Sequence, residues 1–134
     1  MAYKNKKCEW DKLRAATLLN NFPKIYKKYQ DWCISLSGGT VVKNDYKDYD
    51  LGLISSYIRF FEINDILIEV GIDRTMGPKF AYQVWKYNPK NYGFTSLNKD
   101  GIWLRYTRMD AKIDAIFEAF KFMEKDVAEV EKND

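Results

Sequence analysis

Residues 57–72 read Tyr57-Ile58-Arg59-Phe60-Phe61-Glu62-Ile63-Asn64-Asp65-Ile66-Leu67-Ile68-Glu69-Val70-Gly71-Ile72. Two apolar runs, both rich in β-branched and aromatic residues, flank the dipeptide Asn64-Asp65. A turn-forming gap of two residues between such runs predicts a β-hairpin. In this hairpin the face that carries Phe61, Ile66 and Ile68 is the core side.

Four further strands are predicted around this hairpin. Thr40 to Val42 predicts a short strand before it. Lys79 to Tyr87 alternates and predicts a strand after it, with Phe80, Tyr82 and Val84 facing the core. Phe94 to Leu97 and Ile102 to Thr107 predict a second hairpin around Asn98-Lys99-Asp100-Gly101. In that hairpin Ile102, Leu104 and Tyr106 share the inward face, while Trp103 and Arg105 point outward.

Helical patterns lie at the two ends of the chain. Residues 8–21 predict a first helix, and Pro23 begins a second one that runs to about Ser37 before Gly38-Gly39. From about Asp110 a long apolar stripe recurs every three or four residues and predicts a C-terminal helix. The stretch Thr107 to Asp110 is a candidate capping box for that helix. The stripe consists of Ile113, Ile116, Phe117, Phe120, Met123, Val127 and Val130.

This order of elements predicts an α+β fold. We expect an antiparallel β-meander of about five strands, with two N-terminal helices and one long C-terminal helix packed on it. The chain of 134 residues is expected to form a single domain, 1–134, with residues 1–7 as a flexible basic arm. An alternative use of the C-terminal stripe is a seam between two copies in a homodimer.

Composition narrows the function classes. The chain has no histidine and two cysteines, which excludes His-based catalysis, His-liganded zinc and a disulfide framework. Cys33 lies on the apolar side of the second helix and is expected to be buried. We find no signal peptide, no membrane-spanning run and no cofactor motif, so a cytoplasmic protein without a cofactor is predicted. Aromatic residues make up 16% of the chain, which suggests that some of them form a binding surface.

The candidate binding face lies on the sheet. If the predicted strands alternate as described, Trp85, Tyr87, Trp103 and Arg105 point outward together, and Arg59 on the neighbouring strand is counted with them. Exposed aromatic residues beside arginine can stack the bases of single-stranded nucleic acid. Tryptophan, tyrosine and arginine are also the usual anchors of protein interfaces. A third alternative is that helices cover this face as a second core layer.

An acidic segment offers a different chemistry. Asp45, Asp48 and Asp50 lie within six residues and could bind a divalent cation. A metal-dependent nuclease would combine Asp50 with a strand carboxylate, Glu62 or Glu69. A lysine two residues after that carboxylate, as in nucleases of the restriction-enzyme type, is missing here. We expect a solvated acidic loop and keep the nuclease as an alternative.

These features together predict a small, non-enzymatic protein that acts by binding another macromolecule. A protein partner is favoured, for which the chain would be an inhibitor, an immunity protein or an accessory factor. The small size and the Lys-, Asn- and Tyr-rich composition suggest a phage or mobile element as origin. The alternative is a single-stranded nucleic-acid-binding protein that uses Lys4, Lys6 and Lys7 as a basic arm.

Overall fold

The computed structural model describes residues 11–36, 51–74, 79–98, 103–105 and 107–133. Within these residues four helices accompany a four-stranded antiparallel sheet, so the predicted α+β class is confirmed. The basic arm 1–7 and the strand predicted at Thr40 to Val42 lie outside the described residues. The elements in chain order are α1 Ala15–Asn21, α2 Pro23–Leu36, α3 Leu51–Ile63, β1 Ile66–Asp73, β2 Lys79–Asn88, β3 Gly93–Ser96, β4 Trp103–Arg105 and α4 Arg108–Asn133.

The segment before Asn64 is a helix, which corrects the hairpin predicted over residues 57–72. In α3 the buried side chains of Ile54, Tyr57 and Phe61 recur at helical spacing and join the core. β-Branched and aromatic residues favour strands only weakly, and burial against neighbouring helices overrides that preference here. Asp65, with φ 65°, adopts the left-handed conformation that commonly ends a helix, and its N–H donates to the carbonyl of Glu62.

β1 and β2 form an antiparallel pair that runs from Ile66 opposite Lys86 to Asp73 opposite Lys79. The sheet residues that join the hydrophobic core all lie on one face, which we call the inner face. The predicted inward residues of β2 are confirmed by this packing. Members of the core from these two strands are Ile66, Ile68, Val70, Phe80, Tyr82 and Val84.

β3 and β4 both pair with β2 and do not form the predicted second hairpin. Ser96 lies opposite Trp85, and Trp103 lies opposite Tyr82, so the two segments follow one another along the same edge of β2. They therefore behave as one strand that is interrupted between Ser96 and Trp103. Part of the predicted turn, residues 99–101, lies outside the described residues.

Asn98 bridges this interruption with its side-chain amide. Its Oδ1 accepts the backbone N–H of Val84 at 2.9 Å, and its Nδ2 donates to the carbonyl of Tyr82 at 3.3 Å. Asn98 is buried. The amide thus replaces the ladder hydrogen bonds that a continuous strand would make, and it keeps the backbone groups of β2 satisfied.

The core is built largely from aromatic rings. Phe120 of α4 lies in ring contact with Phe22, Tyr26, Tyr29, Tyr57 and Phe61, at centroid distances between 4.8 and 6.2 Å. Four of these contacts are edge-to-face and the one with Phe22 is stacked, and both geometries add to the free energy gained by burial. Most of the aromatic residues described in the helices are therefore used for folding.

The apolar stripe of α4 packs within the chain. Ile113, Ile116, Phe120 and Met123 are buried, whereas Val130 near the end of the helix is exposed. Nothing in this packing supports the alternative of a homodimer through the stripe. The expected cap is present, since the Oγ1 of Thr107 accepts the N–H of Asp110 at 3.0 Å. A carboxylate oxygen of Glu124 in turn accepts the N–H groups of Lys24 and Ile25 and so caps α2.

Candidate functional site

The face of the sheet opposite the core carries a cluster of apolar and aromatic side chains. Leu67 of β1 lies opposite Trp85 of β2, and Tyr87 lies opposite Phe94 of β3. We call these four residues the outer patch. The ring of Phe94 is 56% exposed and the other three side chains are half-buried. The sheet residues in the core come from the inner face, so the described helices do not bury the outer patch.

The rings of the outer patch have fixed mutual positions. Phe94 lies 5.1 Å from Tyr87 and 6.5 Å from Trp85, measured between ring centroids. The indole Nε1 of Trp85 donates a hydrogen bond to the carboxylate of Glu69 at 3.1 Å. This bond links the indole to β1, because Glu69 lies on that neighbouring strand.

A groove of about 460 Å³ opens between these side chains. Pockets that bind ligands are typically apolar with a few polar groups, and this groove has that character. Apart from Glu69 its lining is aliphatic and aromatic. We call it the aromatic groove, and it is lined by Leu67, Ile68, Glu69, Trp85 and Phe94.

A buried polar network fixes β3 against β2 beneath the outer patch. The side-chain amide of Gln83 donates to Ser96 and to Asn98. Ser96 follows Phe94 by two positions on the same face, so this network also helps to position Phe94. A surface supported in this way is preorganised.

Arg105 does not belong to the outer patch, which corrects the predicted binding face. It lies opposite Phe80 of the inner face, and its Nε donates to the carboxylate of Asp114 in α4. Leu104 lies opposite Ala81 of the outer face, so the two faces of β4 are exchanged relative to the prediction. The attraction between Arg105 and a buried carboxylate outweighs the apolar preference of Leu104 for the core.

Arg59 and Trp103 are also separated from Trp85 and Tyr87. Arg59 is exposed on α3, a helix, and not on a strand of the sheet. The backbone of Trp103 lies opposite Tyr82 of the inner face, and its side chain is outside the described structure. The structure therefore brings together two of the five predicted face residues, Trp85 and Tyr87.

Sequence reasoning missed Leu67, Glu69 and Phe94 as members of the site. A signal for Phe94 was available: a four-residue loop over residues 89–92 pairs Asn88 with Gly93 and hence Tyr87 with Phe94. Leu67 and Glu69 were on the predicted non-core face of β1. Only the pairing of β1 with β2 places them beside Trp85, and no local pattern in the sequence specifies that register.

The remaining predicted site residues lie outside the described residues. These are Lys4, Lys6 and Lys7 of the basic arm and Asp45, Asp48 and Asp50 of the acidic segment. In the part of the chain that the structure describes, no group of three or more Asp, Glu, Cys or His side chains could hold a metal ion. Cys33 is a buried free thiol, as predicted.

The charges near the outer patch are few. Along the described strands the outer face carries Glu69, Asp73 and Lys79, and Asp73 lies opposite Lys79. Glu69 is thus the charge nearest the aromatic groove. Its carboxylate gives this surface a weakly acidic character.

A second charged cluster lies on the inner face and serves the fold. Asp114 is 3% exposed and binds the ammonium of Lys12 at 2.8 Å as well as Arg105. Burial, together with the nearby carboxylates of Glu118 and Asp114, raises the pKa of Tyr82 above its usual value. The cluster joins the segment before α1, strand β4 and α4.

No protein-family model, curated protein or solved structure matches this chain. None of the described helices is both long enough and apolar enough to span a membrane.

Proposed function

We propose that this chain is a small binding protein that recognises a protein partner through the outer patch and the aromatic groove. The observation that carries the proposal is the cluster of exposed Phe94 with half-buried Leu67, Trp85 and Tyr87, on a sheet face that the described helices leave uncovered. Aromatic anchors in a preformed groove are typical of the residues that supply most of the binding energy in protein interfaces. An inhibitor, immunity or accessory role, acting in the cytoplasm, fits this surface.

Charge favours a protein over single-stranded nucleic acid. Proteins that bind single strands combine stacking rings with a basic groove that follows the phosphates. Arg105 is engaged with Asp114 on the inner face, and Arg59 is on α3, so neither accompanies Trp85. Among the residues that the structure describes, the charged side chain bonded to these rings is Glu69, which would repel phosphate.

Affinity capture with matched variants tests the proposal. The immobilised chain is compared with Trp85→Ala, Phe94→Ala and the control Ile63→Ala, whose side chain is 57% exposed at the end of α3. We expect a defined protein to bind the original chain and Ile63→Ala, and to bind the two patch variants at least tenfold less, in line with hot-spot energetics. Circular dichroism verifies that each variant is folded.

Two results would contradict the proposal. One is a partner that binds the patch variants and Ile63→Ala equally well. The other is tight binding of a labelled single-stranded oligonucleotide that falls steeply with salt and is lost in Trp85→Ala, since that pattern belongs to phosphate contacts and base stacking.

A further inference from the structure

We infer that the segment recognised by the aromatic groove is an apolar side chain with a lysine or arginine beside it. This inference rests on the proposed function and specifies the chemistry of the partner. It is carried by two properties of the groove, its apolar lining and the position of its one carboxylate.

The walls of the groove are formed by apolar side chains. Leu67, Trp85 and Phe94 surround a space of about 460 Å³, and Phe94 is more than half exposed. An apolar side chain that enters the groove removes these surfaces from water, which is the main favourable term in association. A polar side chain would lose its hydration there without replacement.

Glu69 provides a negative charge at the wall of the groove. Among the described residues it is the one charged residue that lines the groove, and one carboxylate oxygen already accepts the indole N–H of Trp85. That hydrogen bond fixes the carboxylate at the groove wall. A cation brought by the partner would form a charge-assisted hydrogen bond with a preorganised acceptor. An acidic partner would instead be repelled.

A second copy of the chain does not supply this cation well. On the outer face of the described strands the basic residue is Lys79, which lies opposite Asp73. Docking two outer faces would also bring two Glu69 carboxylates into one interface. The groove therefore favours a different protein that carries its own basic residue.

Selection from a displayed library of random peptides tests the inference. The original chain, Trp85→Ala and Glu69→Lys are used as separate targets. We expect the original chain to enrich peptides that place lysine or arginine next to Leu, Ile, Phe or Trp, and Trp85→Ala to lose this enrichment. Charge reversal in Glu69→Lys should change the preferred charge from basic to acidic.

Glu69→Gln provides the matched control for the charge. Its side-chain oxygen can still accept the indole N–H, so the groove keeps its shape while the charge disappears. We expect a selected peptide, synthesised without the display partner, to bind Glu69→Gln about fivefold more weakly than the original chain, the upper end for one partly exposed ion pair. Its affinity for Ile63→Ala should be unchanged.

The outcomes separate this inference from the proposed function. Enrichment that depends on Trp85 but shows no basic preference, or the same consensus from Glu69→Lys, overturns the inference and leaves protein binding by the outer patch intact. Absence of any enrichment on the original chain overturns the inference as well. Peptides that bind Trp85→Ala as tightly as the original chain contradict both.

Discussion

Asp114 shows how one residue decides the orientation of a strand. Its carboxylate is buried beneath the sheet and is neutralised by Lys12 and Arg105, whose side chains are 35% and 38% exposed. A buried carboxylate without such partners is costly, so the two cations turn toward it. The need to neutralise Asp114 explains why Arg105 lies on the inner face. Strand alternation and apolar residues alone predicted the opposite face.

Replacing Asp114 with Asn should destabilise the fold by about 1–3 kcal/mol, less than a fully buried pair because both cations remain partly hydrated. The neutral amide removes the negative charge that attracts both Lys12 and Arg105. The matched control is Asp11→Asn, which breaks the exposed pair with Arg14 and should cost less than about 1 kcal/mol. Urea unfolding at pH 7 measures both, and equal effects would refute the role assigned to Asp114.

At the scale of elements, regular patterns were predicted well where a segment matched one periodicity. The stripe of α4 steps by three and four, and β2 alternates strictly, so both were identified from sequence. Residues 57–63 form an apolar run that fits a strand and a helix alike. The choice between a strand and a helix depends on contacts with α2 and α4, which sequence patterns do not contain. One of these is the contact between the rings of Tyr57 and Phe120, whose centroids lie 5.4 Å apart.

The side chain of Asn98 is expected to stabilise the interrupted edge strand. Asn98→Ala leaves the N–H of Val84 and the carbonyl of Tyr82 without this partner in a buried position, and should cost about 2–3 kcal/mol. Asn91→Ala is a suitable control, because Asn91 accepts the N–H of Gly93 at the same distance, 2.9 Å, on the exposed surface. We expect a cost below about 1 kcal/mol for Asn91→Ala. Similar urea midpoints for the two variants would contradict the bridging role.

At the scale of the whole molecule, the buried tyrosines of the core make the free energy of unfolding decrease at alkaline pH. Burial raises the pKa of Tyr26 to about 12 from 10 and also raises the pKa of Tyr29. Above pH 10 the unfolded chain releases the Tyr26 proton while the folded chain retains it. The stabilisation is therefore complete below pH 10 and is lost as the pH rises toward 12.

For Tyr26 this loss amounts to about 2 kcal/mol by pH 11.5, since each pKa unit corresponds to about 1.4 kcal/mol. Urea unfolding at pH 9, 10.5 and 11.5 measures it, and absorbance of tyrosinate reports the ionisation. Tyr26→Phe should flatten the alkaline decline by that amount, whereas Tyr92→Phe, at a residue that is 79% exposed, should leave it unchanged. An identical decline in Tyr26→Phe would show that this hydroxyl is not responsible.

The candidate site was predicted only in part, because its residues come from several strands whose register is set by the whole fold. Trp85 and Tyr87 were placed on the outer face correctly, because strict alternation in β2 determines their side. Glu69 and Phe94 join them only through the register of three strands, and Arg105 is separated from them because it pairs with Asp114 on the inner face. Several strands contribute residues to one face of a sheet. The alternation within a single strand therefore predicts only some of the residues on that face.

The claim that the outer patch binds a protein is tested most directly by photo-crosslinking in the cells that produce the chain. A benzophenone amino acid is placed at Phe94 of β3 in one variant and at Ile63 of α3 in another, and both positions are exposed. We predict a discrete, nuclease-resistant protein adduct from position 94 and none from position 63. Adducts of equal yield at both positions, or an adduct at 94 that nuclease removes, would contradict the claim.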